Sequence, residues 1–484
     1  MFLPVPPSRA WICVLLLALS GCASIAPEQG HDDVRALVGA RRDHVQLPPQ
    51  FQPPDAAATA RIDSLLQQPI GSRDAVAIAL LQNPALRIDA AEFGLAQADL
   101  FEAGRLANPR LSLSVQDSSD PSAQGPQLSI GIAQNIARLL TRAPRRQFAA
   151  GEFERAKAAF AGRILALAVD TESAWFELAG AMQVTELRRL VLESTDASAQ
   201  LAGRLQQAGN LADLDLALRQ ATASEARIAL QRAEVRQRQA WLKLGRLMGL
   251  PPERNWQATP GLPAPVAAEE ALPELQQRAL RQRLDLDAAR REVDLLRVAL
   301  GMTRRYRYLG EFEVGVDYER ETDRSRLLGP SIALELPLFD QNQAPLGRAQ
   351  ARLQQAEARL QRLELDASAG VATAHAGLAS ARTQLDHYRE QLLPQRERVV
   401  ARTLEMQQYM LLGPFELLAA RRDEFDAYQG YLETLRDYWL ARVDLARETG
   451  GALRGDGGEP VAIPTPAAEE DHSSHHMHHQ HGEH

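Results

Sequence analysis

Four short stretches of the chain alternate between apolar residues and small or polar ones. Leu111, Leu113 and Val115 alternate with Ser112 and Ser114, and Leu128, Ile130 and Ile132 with Ser129 and Gly131. Phe312, Val314, Val316 and Tyr318 alternate with Glu313, Gly315 and Asp317, and Ile332, Leu334 and Leu336 with Ala333 and Glu335. Each predicts a strand with one apolar face. For an isolated hairpin the default is a soluble sandwich, with that face on a core. The flanking segments carry a helical period instead. From Leu346, the residues Ala349, Leu353, Ala356, Leu360, Leu363, Ala367, Gly370 and Ala374 follow 3-4 spacing, a coiled-coil seam. The pattern runs to about Leu411, roughly 65 residues or on the order of 100 Å, and a matching helix runs from near Arg145 to Gln207. Helices of that length do not belong to a sandwich. Pro394 predicts a kink in the second one.

Two breaks follow the long helices, Ala208-Gly209-Asn210-Leu211 and Leu411-Leu412-Gly413-Pro414. Glycine tolerates the left-handed backbone that ends a helix, and Pro414 prevents continuation. Each break turns the chain into an antiparallel helical partner.

The pattern occurs twice, about 200 residues apart. QNPALRIDAAEFGLAQADL from Gln82 aligns with QRLDLDAARREVDLLRVAL from Gln282, Gly125–Ile130 with Gly329–Leu334, Ala174-Trp175 with Ala374-His375, and Trp241-Leu242 with Trp439-Leu440. A proline-rich connection between Pro251 and Pro273 separates the copies and cannot hold a long helix. The predicted organisation is a leader at 1–21, an N-terminal linker at 22–61, repeats at 62–250 and 274–450 joined by a linker at 251–273, and a tail at 451–484. The fold class is mixed, mainly α: long antiparallel coiled-coil hairpins plus four strands per chain.

Arg9 and the short apolar run Trp11–Leu19 read as an export signal, too short for a lasting transmembrane helix. It ends in Leu19-Ser20-Gly21-Cys22, which resembles the lipobox of bacterial lipoproteins. The resemblance makes Cys22 the lipid-bearing residue, and Ala23 after it favours outer-membrane sorting. The two cysteines are Cys13 and Cys22, so the processed chain would keep no disulfide and no thiol nucleophile or ligand. A net charge of -8 argues against a nucleic-acid partner. Mean hydropathy is -0.28, and no stretch after the leader is an unbroken apolar helix of spanning length. A membrane crossing would therefore have to use strands.

Four strands cannot close a barrel, and an open edge cannot sit in lipid. A small closed barrel needs about eight strands, so several chains must pool theirs; three would give twelve. At this point the chain resembles the TolC family of outer-membrane efflux proteins, over about Ile62 to Arg447 and in both halves. The residues that carry the resemblance are Asn83-Pro84-Ala85-Leu86, the second-copy GPSIALELPLFD from Gly329 to Asp340, and the two glycine breaks. The first copy departs from it with Gln134-Asn135-Ile136 in place of the Pro-Leu pair. The resemblance implies a homotrimer in the outer membrane with a twelve-strand transmembrane barrel and a periplasmic α-helical tunnel. It implies a passive conduit, coupled to a periplasmic adaptor protein and an inner-membrane transporter. By position it assigns Gly209, Asn210, Leu211, Leu412, Gly413 and Pro414 to adaptor-docking tips. Family members often narrow the tip with inward acids. Candidates are Glu416, Asp423 and Glu424, although the family's usual acidic places hold Ala419 and Arg422 here. A solvated helix face also accounts for such charges.

The segment from Gly451 to Glu470 is rich in Gly, Pro, Ala and acids and reads as disordered. After it come His472, His475, His476, His478, His479, His481 and His484, with Asp471, Met477 and Glu483. Imidazole is a good ligand for copper and zinc, though this spacing specifies no single geometry. The tract points to a heavy-metal pump, copper before zinc by affinity order and the one methionine. His31, His44, His375 and His387 are scattered and read as structural or solvated. No phosphate-cradling loop, metalloprotease helix pair or nucleophile elbow occurs, and helical acids are interleaved with arginine as on solvated faces. No enzyme activity is expected. The alternatives are a type I protein secretion duct of the same fold, and a non-channel periplasmic metal-binding lipoprotein, which would leave the strands without a purpose.

Overall fold

The structure, a computed structural model, describes residues 30–42, 45, 47–48, 51–117, 119, 124–455 and 458–461. Cys22, His44 and the tract His472–His484 lie outside the described residues.

Each repeat opens with two helices separated by a one-residue break. In the first, after α1 (His31–Gly39) and α2 (Ala56–Leu66), they are α3 (Ser72–Gln82) and α4 (Pro84–Ala103). Asn83 is the break: its backbone is extended, its side chain caps the amide of Ala85, and Pro84 opens α4 without a lost donor. In the second repeat, α8 (Leu272–Gln282) and α9 (Leu284–Arg305) break at Arg283, 200 positions on. The breaks also do equivalent work. Asn83 donates to the carbonyl of Leu247, near the end of the first returning helix, and Arg283 reaches the Glu448 carboxylate, near the end of the second.

Strands β1 (Arg110–Gln116) and β2 (Gln127–Asn135) follow α4, and β3 (Phe312–Arg320) and β4 (Arg326–Leu334) follow α9. They form one antiparallel sheet in the order β1-β2-β3-β4, so the two repeats join at β2 and β3. A short α5 (Ile136–Leu140) leads into α6 (Arg142–Gln207), one unbroken helix of 66 residues, which returns as α7 (Asp213–Leu247). In the second repeat α10 (Gln343–His387), a π turn (Tyr388–Leu392) and α11 (Leu393–Gln408) together also make 66 residues, returning as α12 (Pro414–Thr449). Where a kink was expected at Pro394, the helix carries a π turn that ends two residues upstream. Leu393 donates to the carbonyl of Tyr388, five residues back, and the widened turn accommodates a ring that has no N–H to give.

The main core lies at mid-height of the long helices, where α6, α7 and α12 meet the linker. Phe176 and Trp439 stack at 5.0 Å, and Tyr438, Leu178, Leu187 and Leu435 are buried around them. Trp175 donates to the carbonyl of Ile70 and Trp439 to that of Pro263, so each repeat clamps an extended segment with an indole. Burial and the neighbouring Glu269 push the Tyr438 hydroxyl above its usual range, which keeps it a donor. A second core nearer the strands stacks Phe93 on Phe153 and Phe160, with Phe51 edge-on to Phe160.

Two boundary expectations change. The segment read as an N-terminal linker contains α1, whose Val34 and Val38 are fully buried against the second core. The segment read as disordered from Gly451 is held in place through Val461 where it is described. Arg442 donates to the Gly455 carbonyl, and Gly458, Glu459 and Val461 bond to Leu262 and Ala264. Composition alone missed this because the partners are backbone groups of the distant linker.

Candidate functional site: an open apolar sheet and two paired tips

The strand register puts the alternating positions of all four strands in phase. Leu111 pairs with Ile132, Leu113 with Ile130, Ile130 with Tyr318, Ile132 with Val316, Val314 with Ile332 and Tyr318 with Leu328. One face is therefore a continuous apolar surface, and it is uncovered: Leu113 is 67%, Leu328 74% and Ile332 70% exposed. A sandwich would bury these residues. The opposite face carries Ser112, Ser129, Ser331, Glu313, Asp317 and Glu319. Three of the strands are nine residues long, the length that a tilted transmembrane strand needs. Pro330 lies within β4, an edge strand in this chain.

Gly131 and Gly315 fall on the polar face; a side chain at Gly315 would meet backbone, and one at Gly131 would displace the Asp317 side chain. A Cβ at Gly131 would lie 2.1 Å from Asp317 Oδ1 and one at Gly315 2.8 Å from the Ile132 carbonyl oxygen. The sequence reading counted them only as small members of the alternation. Glycine inside a strand was the available signal of close approach.

At the far end of the helices the two turns use one motif. In the first, Gly209 is left-handed (φ 75°), its N–H donates to Gln206 O at 2.9 Å, and Asn210 N–H donates to Leu205 O at 2.8 Å. In the second, Met410 is left-handed (φ 59°), its N–H donates to Gln407 O at 2.9 Å, and Leu411 N–H donates to Met406 O at 2.9 Å. Both are Schellman endings. The structural equivalent of Gly209 is thus Met410, and Gly413, expected to terminate the helix, is extended and caps α12, as Ala212 caps α7. Leu211 and Leu412 are half-buried, and Asn210, Pro414 and Met410 exposed, Met410 by 93%. The tips lie side by side, with the Arg219 guanidinium 4.6 Å from the ring centre of Phe415.

The three acids beyond the second tip separate. Glu424 is buried and accepts from Arg421 at 2.9 Å, and Asp423 pairs with Arg396 at 3.3 Å. Glu416 is exposed at the start of α12. Two of the three candidates are therefore engaged within their own chain. Among the described residues no cluster of three His, Cys, Asp or Glu side chains is disposed to hold a metal, and no helix is long and apolar enough to cross a membrane.

A helical hairpin duplicated and joined by a four-strand sheet with an apolar outer face defines the chain's class: it has the fold of the TolC-type outer-membrane efflux channels. The CmeC outer-membrane channel of Campylobacter jejuni superposes with a TM-score of 0.66 at 15% identity, over 79% of this chain and 86% of that one. CusC superposes at 0.65 with 17% identity, over 84% and 99%. The MtrE outer-membrane channel of Neisseria gonorrhoeae, in its open state, does so at 0.64 with 16% identity, over 78% and 89%. At these identities the likeness is one of fold. No family model and no curated relative matches the chain.

Proposed function

We propose that the chain is one protomer of a trimeric, lipid-anchored outer-membrane conduit, the exit duct of a tripartite efflux system. The observation that carries this reading is the uncovered apolar face on a sheet with two open edges. In water that face is an aggregation hazard; in a bilayer it is a lipid-facing wall, provided neighbouring chains close the edges. Three chains supply twelve strands, and the glycine-bearing polar face then lines a lumen. The helices support the same assembly: Leu214, Ala221, Ile228, Val235 and Leu242 repeat every seven residues along α7 and are all exposed, a seam without a partner inside its own chain.

Anchoring is sterically simple. Gly30 lies against Phe153, eleven residues into α6 and so about 16 Å from its strand-side end. Cys22 precedes Gly30 by eight residues, a reach of about 28 Å when extended. A lipid there can meet the membrane at the base of the barrel. The tips, with Gly209–Leu211 and Leu412–Pro414, are the adaptor-docking surface of this reading, and an inner-membrane transporter supplies the energy. For cargo, the histidine tract favours copper or zinc ions over drugs or protein.

The test is conductance in planar bilayers, alone and with the lipid-facing variant Ile332→Asp. The wild-type chain should give discrete channels, and the variant should fail to insert, since a charge on the lipid face is destabilising. A wild-type protein without conductance, or an inserting Ile332→Asp, would contradict the reading.

A further inference from the structure

The chain carries a net charge of -8, yet positive charge gathers at one level, where the sheet meets the long helices. Residues 136–146, which form α5 and the start of α6, hold Arg138, Arg142, Arg145 and Arg146 and no acid. Residues 301–310, the end of α9 and the loop before β3, hold Arg304, Arg305 and Arg307 and no acid. The two segments meet beside the same end of the sheet, since Asn135 at the end of β2 pairs with Glu313 at the start of β3. Arg142 Nε donates to the Gly104 carbonyl just after α4 at 2.8 Å, and Asn342 before α10 donates to the Arg307 carbonyl at 2.6 Å. All four connections between this end of the sheet and the helices therefore lie at one level.

Among the described residues none of these seven guanidiniums pairs with a carboxylate. Farther along α9, by contrast, Arg290, Arg291 and Arg297 are all ion-paired. Over the four connections, 101–110, 136–146, 301–313 and 335–343, nine arginines (the seven with Arg105 and Arg110) stand against five acids. Three of those acids are engaged: Glu313 by Arg110 at 3.3 Å, Glu335 by the Glu311 N–H at 3.1 Å and Asp340 by the Asn342 N–H at 2.8 Å. Apolar side chains are interleaved with the arginines. Leu106, Leu139, Leu140, Tyr308 and Leu338 are exposed, Phe339 by 96%, and the Arg307 guanidinium lies 4.6 Å from the ring centre of Tyr308. Arginine mixed with exposed leucine and aromatic rings suits a boundary between hydrocarbon and water.

Depth agrees with composition. Three of the strands are nine residues long, about 30 Å of chain, which at barrel tilt rises about 20–25 Å, the height of a lipid-facing band. The collar then falls at the headgroups of the leaflet nearest the helices. We propose that it is a binding surface for anionic phospholipid, its guanidiniums taking phosphate oxygens while the leucines and rings enter the acyl boundary. A free phosphate would occupy the arginines and leave Leu338 and Phe339 uncovered. The depth rests on the lipid-facing reading of the sheet; the preference for anionic headgroups is measured without it.

The experiment releases the full-length protein from detergent micelles doped equally with phosphatidylglycerol and phosphatidylcholine, and counts the retained lipids by native mass spectrometry. The wild-type protein should retain phosphatidylglycerol in excess by about threefold or more. The variant Arg138→Gln/Arg146→Gln/Arg304→Gln should bring the ratio to about one, and Arg352→Gln/Arg362→Gln/Arg402→Gln, exposed on the second long arm, should leave it at the wild-type value. No excess in the wild-type protein, or equal loss in both variants, would overturn the proposal. So would an unmoved ratio in the collar variant with a shifted reversal potential, which would put these side chains in the lumen. An intact excess that the collar variant abolishes, in a protein that forms no channels, would support the proposal and count against the conduit reading alone.

Discussion

The long arms of the two helical hairpins have the same length and the same turn, yet one is uninterrupted α-helix and the other carries a π turn and a strained residue. The first runs 66 residues as uninterrupted α-helix and turns on Gly209, for which a left-handed backbone is free of Cβ strain. The second covers the same 66 residues but inserts a π turn at Tyr388–Leu392 ahead of Pro394, and turns on Met410. A left-handed residue with a long side chain costs about 1–2 kcal/mol. It persists here on a side chain almost entirely in solvent, so burial does not offset the strain.

That difference can be removed step by step. The largest effect is expected at the π turn. Deleting Gln391 restores a plain α-helix, and Pro394 then sits inside it, at a cost of about 3 kcal/mol. Adding Pro394→Ala to the deletion should recover most of that loss and leave the long arm of the second hairpin an uninterrupted α-helix like the first. Unfolding midpoints of the two variants would measure the coupling, and equal stability would show that the turn does not exist to accommodate the proline. Next is Gly430→Ala, since the new Cβ would lie 2.3 Å from the Tyr388 hydroxyl that packs on α12 beside the turn. Overpacking there should cost about 1–3 kcal/mol. Hydrogen exchange should show it in α11 and α12 and not in α6 and α7. The smallest effects are at the tips. Met410→Gly should stabilise the protein by about 1 kcal/mol and Gly209→Met should destabilise it by about 1–2 kcal/mol. Opposite signs in chemical denaturation would bear out the equivalence of the two positions.

Much of this architecture was legible in the sequence because it depends on period. Strand alternation at Leu111–Val115 or Phe312–Tyr318, seam spacing from Ala349 to Ala374 and the 200-residue repeat are each visible without neighbours. The register that puts four apolar faces on one side was not, because it is set by pairing between repeats. The turn on Met410 was missed for a related reason. Gly413 and Pro414 are stronger local signals than any methionine, and only the hydrogen bonds to Met406 and Gln407 show where the helix ends. Glu424 read as a gate candidate because the i, i+3 spacing from Arg421 is legible but the burial of the carboxylate, 2.9 Å from that guanidinium, is not. The backbone pairing at Val461 was hidden by composition, since Gly, Pro and acidic residues usually signal disorder, and its partners lie some 200 positions upstream at Leu262 and Ala264.

The claim beneath all of this is that one chain owns a third of a wall. Native mass spectrometry of the protein released from detergent measures it most directly. The account predicts a particle of three 53.2 kDa chains, less the processed leader and plus its lipid. A single chain that stays monodisperse without detergent would contradict it.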